Sequence, residues 1–136
     1  AFGSNPQQAL LAMREAEAYD GPSLILAYSR CIAHGYDLKD GLTQQNNAVA
    51  SGYWPLMRYN PVLRVKKLNP FILDSTRPEI PLKEFAYKEL RYKVLTQTNP
   101  VEAEELMTLA QEMVNLRWKN YEELATKTAS DFTPVA

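Results

Sequence analysis

The sequence has very few of the residues from which metal and nucleophile sites are built. Its 136 residues contain one cysteine, Cys31, and one histidine, His34. A single cysteine excludes an internal disulfide framework. It also fits a compartment that keeps thiols reduced, which predicts a cytoplasmic location. Structural zinc takes four ligands, catalytic zinc three, and an iron–sulfur cluster usually four cysteines, so this chain cannot complete such a site by itself.

A strong charge of one sign and long apolar runs are also missing. The formal net charge is −1, whereas a nucleic-acid-binding protein needs a clear basic excess to bind phosphates. The apolar run "PSLILAYS" is far shorter than the roughly 20 residues that cross a membrane. The first residues, "AFGSNPQQ", lack the basic and apolar regions of a signal peptide. We therefore predict that the chain binds neither nucleic acid nor a membrane.

What is present is an ordinary globular composition with a mixed pattern of helix and strand. The hydrophobic fraction is 46% and the charged fraction is 23%, which is typical of a globular domain. Asn5 and Pro6 predict the start of a helix that ends at Gly21. Residues 22–29 contain the continuous apolar run "LILAY", typical of a strand buried on both faces of a parallel sheet. A helix followed by such a strand predicts an α/β fold.

The remaining sequence predicts shorter elements. Helices are expected over residues 40–51 and 81–95, and a long final helix from Asn99 and Pro100 to about residue 125, with one broad apolar face. The strings "YWPLMRYNP" and "NPFILDS" predict short extended segments, and the tail after the last helix is expected to fray. One parallel strand needs parallel neighbours that this sequence does not contain. We therefore expect a C-terminal fragment of a larger α/β domain.

Cys31 and His34 each allow more than one interpretation. Cys31 could be a small buried apolar side chain. It also follows the predicted strand by two residues, where ligands bind in α/β sheets, so it could be a metal ligand or a nucleophile. His34, beside Gly35, could be a hydrogen-bonded imidazole in a turn, a second ligand, or a base for Cys31. An aromatic cluster is expected to belong to the core or to an interface: Tyr53, Trp54 and Tyr59.

Two long strings, "AYSRCIAHG" and "SGYWPLMRYNP", are unusual together. With "NPFILDS" and "TNPVEAEELMTLAQEMVNLRWKNYEEL", they make residues 5 to 125 resemble the C-terminal part of pyruvate:ferredoxin (flavodoxin) oxidoreductase. The resemblance implies that residues 1–52 end an α/β, parallel-sheet domain that binds thiamine diphosphate. Residues 53–136 would then be a C-terminal extension of short strands and helices. The whole enzyme would be a large, dimeric, cytosolic protein.

The resemblance also implies an activity and one site residue. The family decarboxylates pyruvate on thiamine diphosphate and Mg²⁺, forms acetyl-CoA from coenzyme A, and passes electrons through [4Fe–4S] clusters to ferredoxin or flavodoxin. Carried over, Cys31 is a thiolate ligand of the [4Fe–4S] cluster nearest the thiamine, and His34 has no assigned role. The other three cysteines and the thiamine motif "GDG…N" are absent from this chain. We therefore expect the chain alone to be inactive.

One residue of the cysteine segment departs from the family pattern. Arg30 stands where we expect histidine or a small polar residue, and its charge would tend to raise the potential of a nearby cluster.

One alternative function is a non-catalytic interaction module, in which the last helix and the aromatic cluster form an interdomain or subunit surface. The other is a small thiol enzyme that uses Cys31 with His34 as its base.

Overall fold

A computed structural model describes residues 1–132 of the chain, and helices make up most of it. The first helix, α1, spans Pro6–Ala18. It begins where the sequence predicts, because the Asn5 side chain accepts a hydrogen bond from the Gln8 amide at 2.9 Å and proline fits the first helical position. None of the residues of α1 is buried. Contacts between polar side chains must therefore contribute much of its attachment to the rest of the fold.

Five further helices and three short 3₁₀ turns follow along the chain. The helices are α2 (Gly41–Ala50), α3 (Val62–Val65), α4 (Leu82–Ala86), α5 (Leu90–Thr98) and α6 (Pro100–Thr126). The 3₁₀ turns are Ile32–His34, Leu38–Asp40 and Ala129–Asp131. None of the helices in residues 1–132 is long and apolar enough to cross a membrane.

The predicted helices at 40–51 and from Pro100 are confirmed, but the one at 81–95 is wrong in part. It is broken into α4 and α5 because Glu89 has an extended backbone, with φ −101° and ψ 126°. The predicted fraying of the tail is only partly covered: Ala129–Asp131 form a 3₁₀ turn, and residues 133–136 lie outside the described residues.

The single sheet of residues 1–132 has two strands. Strands β1 (Met57–Tyr59) and β2 (Phe71–Leu73) pair antiparallel, with Arg58 opposite Ile72. These are the two short extended segments that the sequence predicts. The connection between them contains α3 and a turn at Lys67, whose φ is 58°.

The α/β prediction with a parallel sheet is not confirmed for the described chain. Residues 22–29 are not in a strand, and no parallel sheet is present in residues 1–132. Leu24 and Leu26 are 83% and 72% exposed, whereas a strand within a parallel sheet would bury them. The physical reason is that a strand exists only through backbone hydrogen bonds to neighbouring strands. None of the described residues provides such a neighbour.

The core lies between α2, α4 and α6. Its buried apolar residues are Ala48, Leu82, Phe85, Ala86 and Val114. Only part of the apolar face predicted for α6 contributes to it. The helix buries Ala103, Val114 and Trp118, whereas four members of the predicted face are 49–62% exposed: Leu106, Leu109, Met113 and Leu116. A broad apolar stripe on a helix therefore overestimates what this chain covers.

The side chain of Arg58 connects α1 to the hairpin. Its guanidinium donates two hydrogen bonds to Asp74, both at 2.8 Å, and one to Glu15 of α1 at 2.6 Å. Gln8 of α1 donates to the same Asp74 carboxylate at 3.0 Å. The side chains of Arg58 and Asp74 are 13% and 14% exposed. This group of charges is the main polar link between α1 and β1.

Candidate functional site

Cys31 is exposed and heads the 3₁₀ turn Ile32–His34. Its carbonyl oxygen accepts a hydrogen bond from the His34 amide at 3.1 Å, and the Gly35 amide donates to Ile32 at 3.1 Å. Gly35 closes the turn in the left-handed region, with φ 75°, which a glycine adopts without strain. The interpretation of Cys31 as a buried apolar side chain is therefore wrong, because its side chain is open to an external group.

The turn that carries Cys31 is packed closely on the start of α5. The Leu90 amide donates to the Gly35 carbonyl at 3.3 Å. A Cβ atom at Gly35 would lie 2.5 Å from the Leu90 Cβ, so a side chain does not fit there. This contact connects the cysteine loop of the first part of the chain to the helices of the second.

His34 points away from solvent, into a polar cluster. Its side chain is 14% exposed, and its Nδ1 lies 3.7 Å from Glu89 Oε1. The imidazole stacks on Tyr28, with ring centroids 6.0 Å apart and 20° between the planes. Nδ1 is buried and has no hydrogen-bond partner. The geometry agrees with a structural imidazole in a turn, although the hydrogen bond expected for it is not formed at Nδ1.

Glu89 lies at the centre of this polar cluster and is fully buried. Its carboxylate accepts hydrogen bonds from Arg91 Nε at 2.6 Å, from Gln44 Nε2 at 3.1 Å and from the Tyr28 hydroxyl at 3.5 Å. Arg91 also donates to the Tyr28 hydroxyl at 3.3 Å. A buried carboxylate is costly unless it is paired and hydrogen-bonded. Loss of these hydrogen bonds would therefore leave the Glu89 carboxylate buried and unpaired, at a large cost in free energy.

The pKa shifts in the cluster follow from burial and from the Glu89 charge. Burial and the nearby carboxylate raise the pKa of Tyr28 well above its ordinary value, so its hydroxyl stays a donor. Burial acts to lower the pKa of Arg91, but the hydrogen bond and charge of Glu89 outweigh it and the pKa rises. Both groups therefore keep the form that binds the carboxylate.

No local pattern in the sequence marks Glu89, because a regular helix over 81–95 makes its burial no more expected than that of its neighbours. The predicted grouping of Tyr59 with Tyr53 and Trp54 is wrong. Tyr53 and Trp54 do pack around Tyr28, with centroids 5.8 Å and 5.3 Å from its ring. Tyr59 lies elsewhere, 6.1 Å from the ring of Phe132. Tyr53 and Trp54 pack against the core, one of the two places predicted for them, and Tyr28 packs there with them.

The donor atoms of residues 1–132 do not form a complete metal site. No group of three or more histidine, cysteine, aspartate or glutamate side chains in the described residues could hold a metal ion. Cys31 is the only cysteine of the chain and it is exposed. Its side chain is therefore accessible to groups outside the described residues.

The chain is similar to one part of longer, known oxidoreductases. No family model matches the chain, but it is homologous to a segment of pyruvate:ferredoxin/flavodoxin oxidoreductases. The pyruvate-flavodoxin oxidoreductase of Trichormus variabilis is 50% identical over 127 residues, which cover 93% of this chain and 11% of that protein. The pyruvate:ferredoxin oxidoreductase of Moorella thermoacetica is 42% identical over 125 residues, 92% of this chain and 11% of that protein.

A third relative carries a different name. The mitochondrial pyruvate dehydrogenase [NADP(+)] of Euglena gracilis is 39% identical over 124 residues, which cover 88% of this chain and 7% of that protein. In all three cases the chain spans only about a tenth of the relative's length or less. The comparisons therefore establish homology to one segment of a much longer protein.

Proposed function

We propose that the chain is a segment of an oxidoreductase that oxidatively decarboxylates pyruvate. In this reaction pyruvate and coenzyme A give acetyl-CoA, CO₂, one proton and two electrons, and the electrons pass through [4Fe–4S] clusters to ferredoxin or flavodoxin. The observation that carries the proposal is the 50% identity to a pyruvate-flavodoxin oxidoreductase over 93% of the chain. The rest of the oxidoreductase would supply the binding groups for thiamine diphosphate, Mg²⁺ and the substrates.

Within this proposal Cys31 is one thiolate ligand of a [4Fe–4S] cluster. When bound, such a cluster accepts and releases single electrons. The contribution of the chain is a sulfur atom on the surface, held by a short turn that is closed by Gly35 and packed on Leu90. Its exposure supports a role as a ligand shared with another part of the protein. The three-residue turn is too short to add a helix dipole of its own.

We also propose the division into residues 1–52 and 53–136. Residues 1–52 would complete the thiamine-diphosphate-binding domain, with residues 22–29 pairing with strands from the rest of the enzyme. The exposed apolar side chains of Leu24 and Leu26 support this, because a parallel sheet would bury them. Residues 53–136, which contain the hairpin and α3 to α6, would be the C-terminal extension.

The ligand role is tested in the full-length enzyme with Cys31→Ala. We expect loss of iron and loss or alteration of the electron paramagnetic resonance (EPR) signal of one cluster, because alanine offers no thiolate. Ile32→Ala is a matched control, since Ile32 is the next residue and is 79% exposed. Its iron content and spectrum should match the wild type. An unchanged spectrum and iron content in Cys31→Ala would refute the ligand role.

The interaction module remains a second candidate, supported by the apolar surface of α6. Leu109 and Met113 are 56% and 62% exposed on this helix. The coding sequence upstream of residue 1 separates the two candidates. A thiamine motif and three further cysteines there support the oxidoreductase, and their absence would leave the interaction module. The thiol enzyme is not supported, because the Nδ1 atom of His34 faces Glu89 and is therefore not placed to act as a base for Cys31.

The proposed partners and location follow the same analogy. They are the remainder of the oxidoreductase chain, a second copy in a homodimer, and ferredoxin or flavodoxin as electron acceptor. The relatives are named for both acceptors. A cytoplasmic location stays a prediction, and the Euglena gracilis relative is named as mitochondrial.

A further inference from the structure

We propose that Glu89 is a positioning residue for Cys31, acting through the side chains of His34 and Tyr28. This inference rests on the proposed function, because it concerns how the chain presents its cluster ligand. Tyr28 and His34 are close in the sequence, whereas Glu89 lies 61 positions beyond Tyr28. The loop that carries Cys31 is therefore positioned partly by the second part of the chain.

The first step is that the Cys31 loop has little support from regular structure. Residues 22–31 belong to no helix or strand, and the following turn has only three residues. Cys31 itself is exposed. Beside the backbone contacts of Gly35, the side chains on either side of Cys31 can hold its loop in place: Tyr28 before it and His34 after it.

The second step is that both of these side chains meet at Glu89. The Tyr28 hydroxyl lies 3.5 Å from Glu89 Oε1, and His34 Nδ1 lies 3.7 Å from the same oxygen atom. The Tyr28 and His34 rings are stacked on each other. The Oε1 atom of the buried Glu89 therefore lies close to the side chains that precede and follow Cys31 in the loop.

The third step is that Glu89 is itself held firmly. Arg91 Nε donates to its Oε2 at 2.6 Å, and Gln44 donates to its Oε1 at 3.1 Å. Gln44 also donates to the Phe85 carbonyl at 2.9 Å, which connects the carboxylate to the core. A ligand whose supporting partners are fixed in this way keeps its orientation, and such partners are known to tune metal sites.

The test compares variants of the full-length enzyme by the EPR spectrum and midpoint potential of the cluster that Cys31→Ala removes. Glu89→Gln keeps the size of the side chain and removes its charge. His34→Phe keeps a ring that can stack on Tyr28 and removes Nδ1. We expect both variants to shift the line shape and the potential of this cluster, while the signals of the other clusters stay unchanged. Glu84→Gln, an exposed carboxylate on α4, should behave as the wild type.

Each outcome decides the proposal. Wild-type spectra and potentials in both variants would overturn it. A shift in Glu89→Gln alone would also overturn it as stated, because the proposal requires the route through His34 as well as the one through Tyr28. If Glu89→Gln does not accumulate as folded protein, His34→Phe decides by itself. Failure of the proposed function is distinguishable, because in that case Cys31→Ala leaves every cluster signal intact.

Discussion

Replacing Arg58 with glutamine tests how α1 is attached to the rest of the chain. The substitution removes both hydrogen bonds to Asp74 and the one to Glu15. Breaking a buried ion pair costs roughly 3–5 kcal/mol. Asp74 is 14% exposed and Glu15 is 32% exposed, so both carboxylates regain some hydration. We therefore expect a loss of about 2–3 kcal/mol in the free energy of opening α1.

Hydrogen exchange of the α1 amides measures this loss directly. A change of about 2–3 kcal/mol corresponds to exchange that is about 30- to 150-fold faster, because each 1.4 kcal/mol is tenfold. The acceleration should be concentrated in Pro6–Ala18. None of the residues of this helix is buried, so little apolar contact replaces the lost charges.

Arg77→Gln is the matched control for this experiment. Arg77 also donates two hydrogen bonds to one carboxylate, that of Glu122, but its side chain is 79% exposed. An exposed ion pair of this kind contributes about 0–1 kcal/mol. The control should leave exchange in α1 unchanged. Equal exchange of α1 in Arg58→Gln and in the wild type would refute the argument that these buried charges hold the helix.

Two further predictions concern the same carboxylate and the core. Burial acts to raise the pKa of Asp74, but the hydrogen bonds from Arg58 and Gln8 outweigh it and hold that pKa below its ordinary value. The stabilisation from this carboxylate should therefore be complete above the ordinary pKa and be lost as the pH falls through the lower pKa of the folded state. Urea titrations should find this pH dependence reduced in Asp74→Asn. Phe85 is fully buried, so Phe85→Ala should lower the free energy of unfolding by about 3–5 kcal/mol. Leu109→Ala, at an exposed site of α6, should change it by less than about 0.5 kcal/mol. Equal losses in these two variants would contradict the assignment of the core.

Much of the helical structure could be predicted because its signals are local. The Asn99 side chain accepts a hydrogen bond from the Glu102 amide at 3.3 Å, just as Asn5 caps α1. Such caps act over three residues, and a single sequence displays them in full. The break between α4 and α5 could not be predicted in this way. It occurs where Glu89 turns into a cluster formed with Tyr28 and Gln44, which lie 61 and 45 positions away.

The strand prediction at residues 22–29 shows a second limit. A continuous apolar run indicates that a segment prefers burial between layers, but not which segments would cover it. In residues 1–132 nothing pairs with this run, and Leu24 stays 83% exposed. The amphipathic face of α6 was overestimated for the same reason. Apolar periodicity gives the direction of a face, whereas burial also requires a partner.

The starts of α1 and α6 and the single thiol follow directly from the amino-acid sequence, because each depends on the identities of a few neighbouring residues. The two strings "AYSRCIAHG" and "SGYWPLMRYNP" resemble the oxidoreductases to one segment of which the chain is homologous. The exposure of Cys31 and the burial of Glu89 beside His34 are visible only in the folded chain. Exposure and the pairing of a buried charge depend on contacts between residues far apart in the sequence, and local patterns do not contain them.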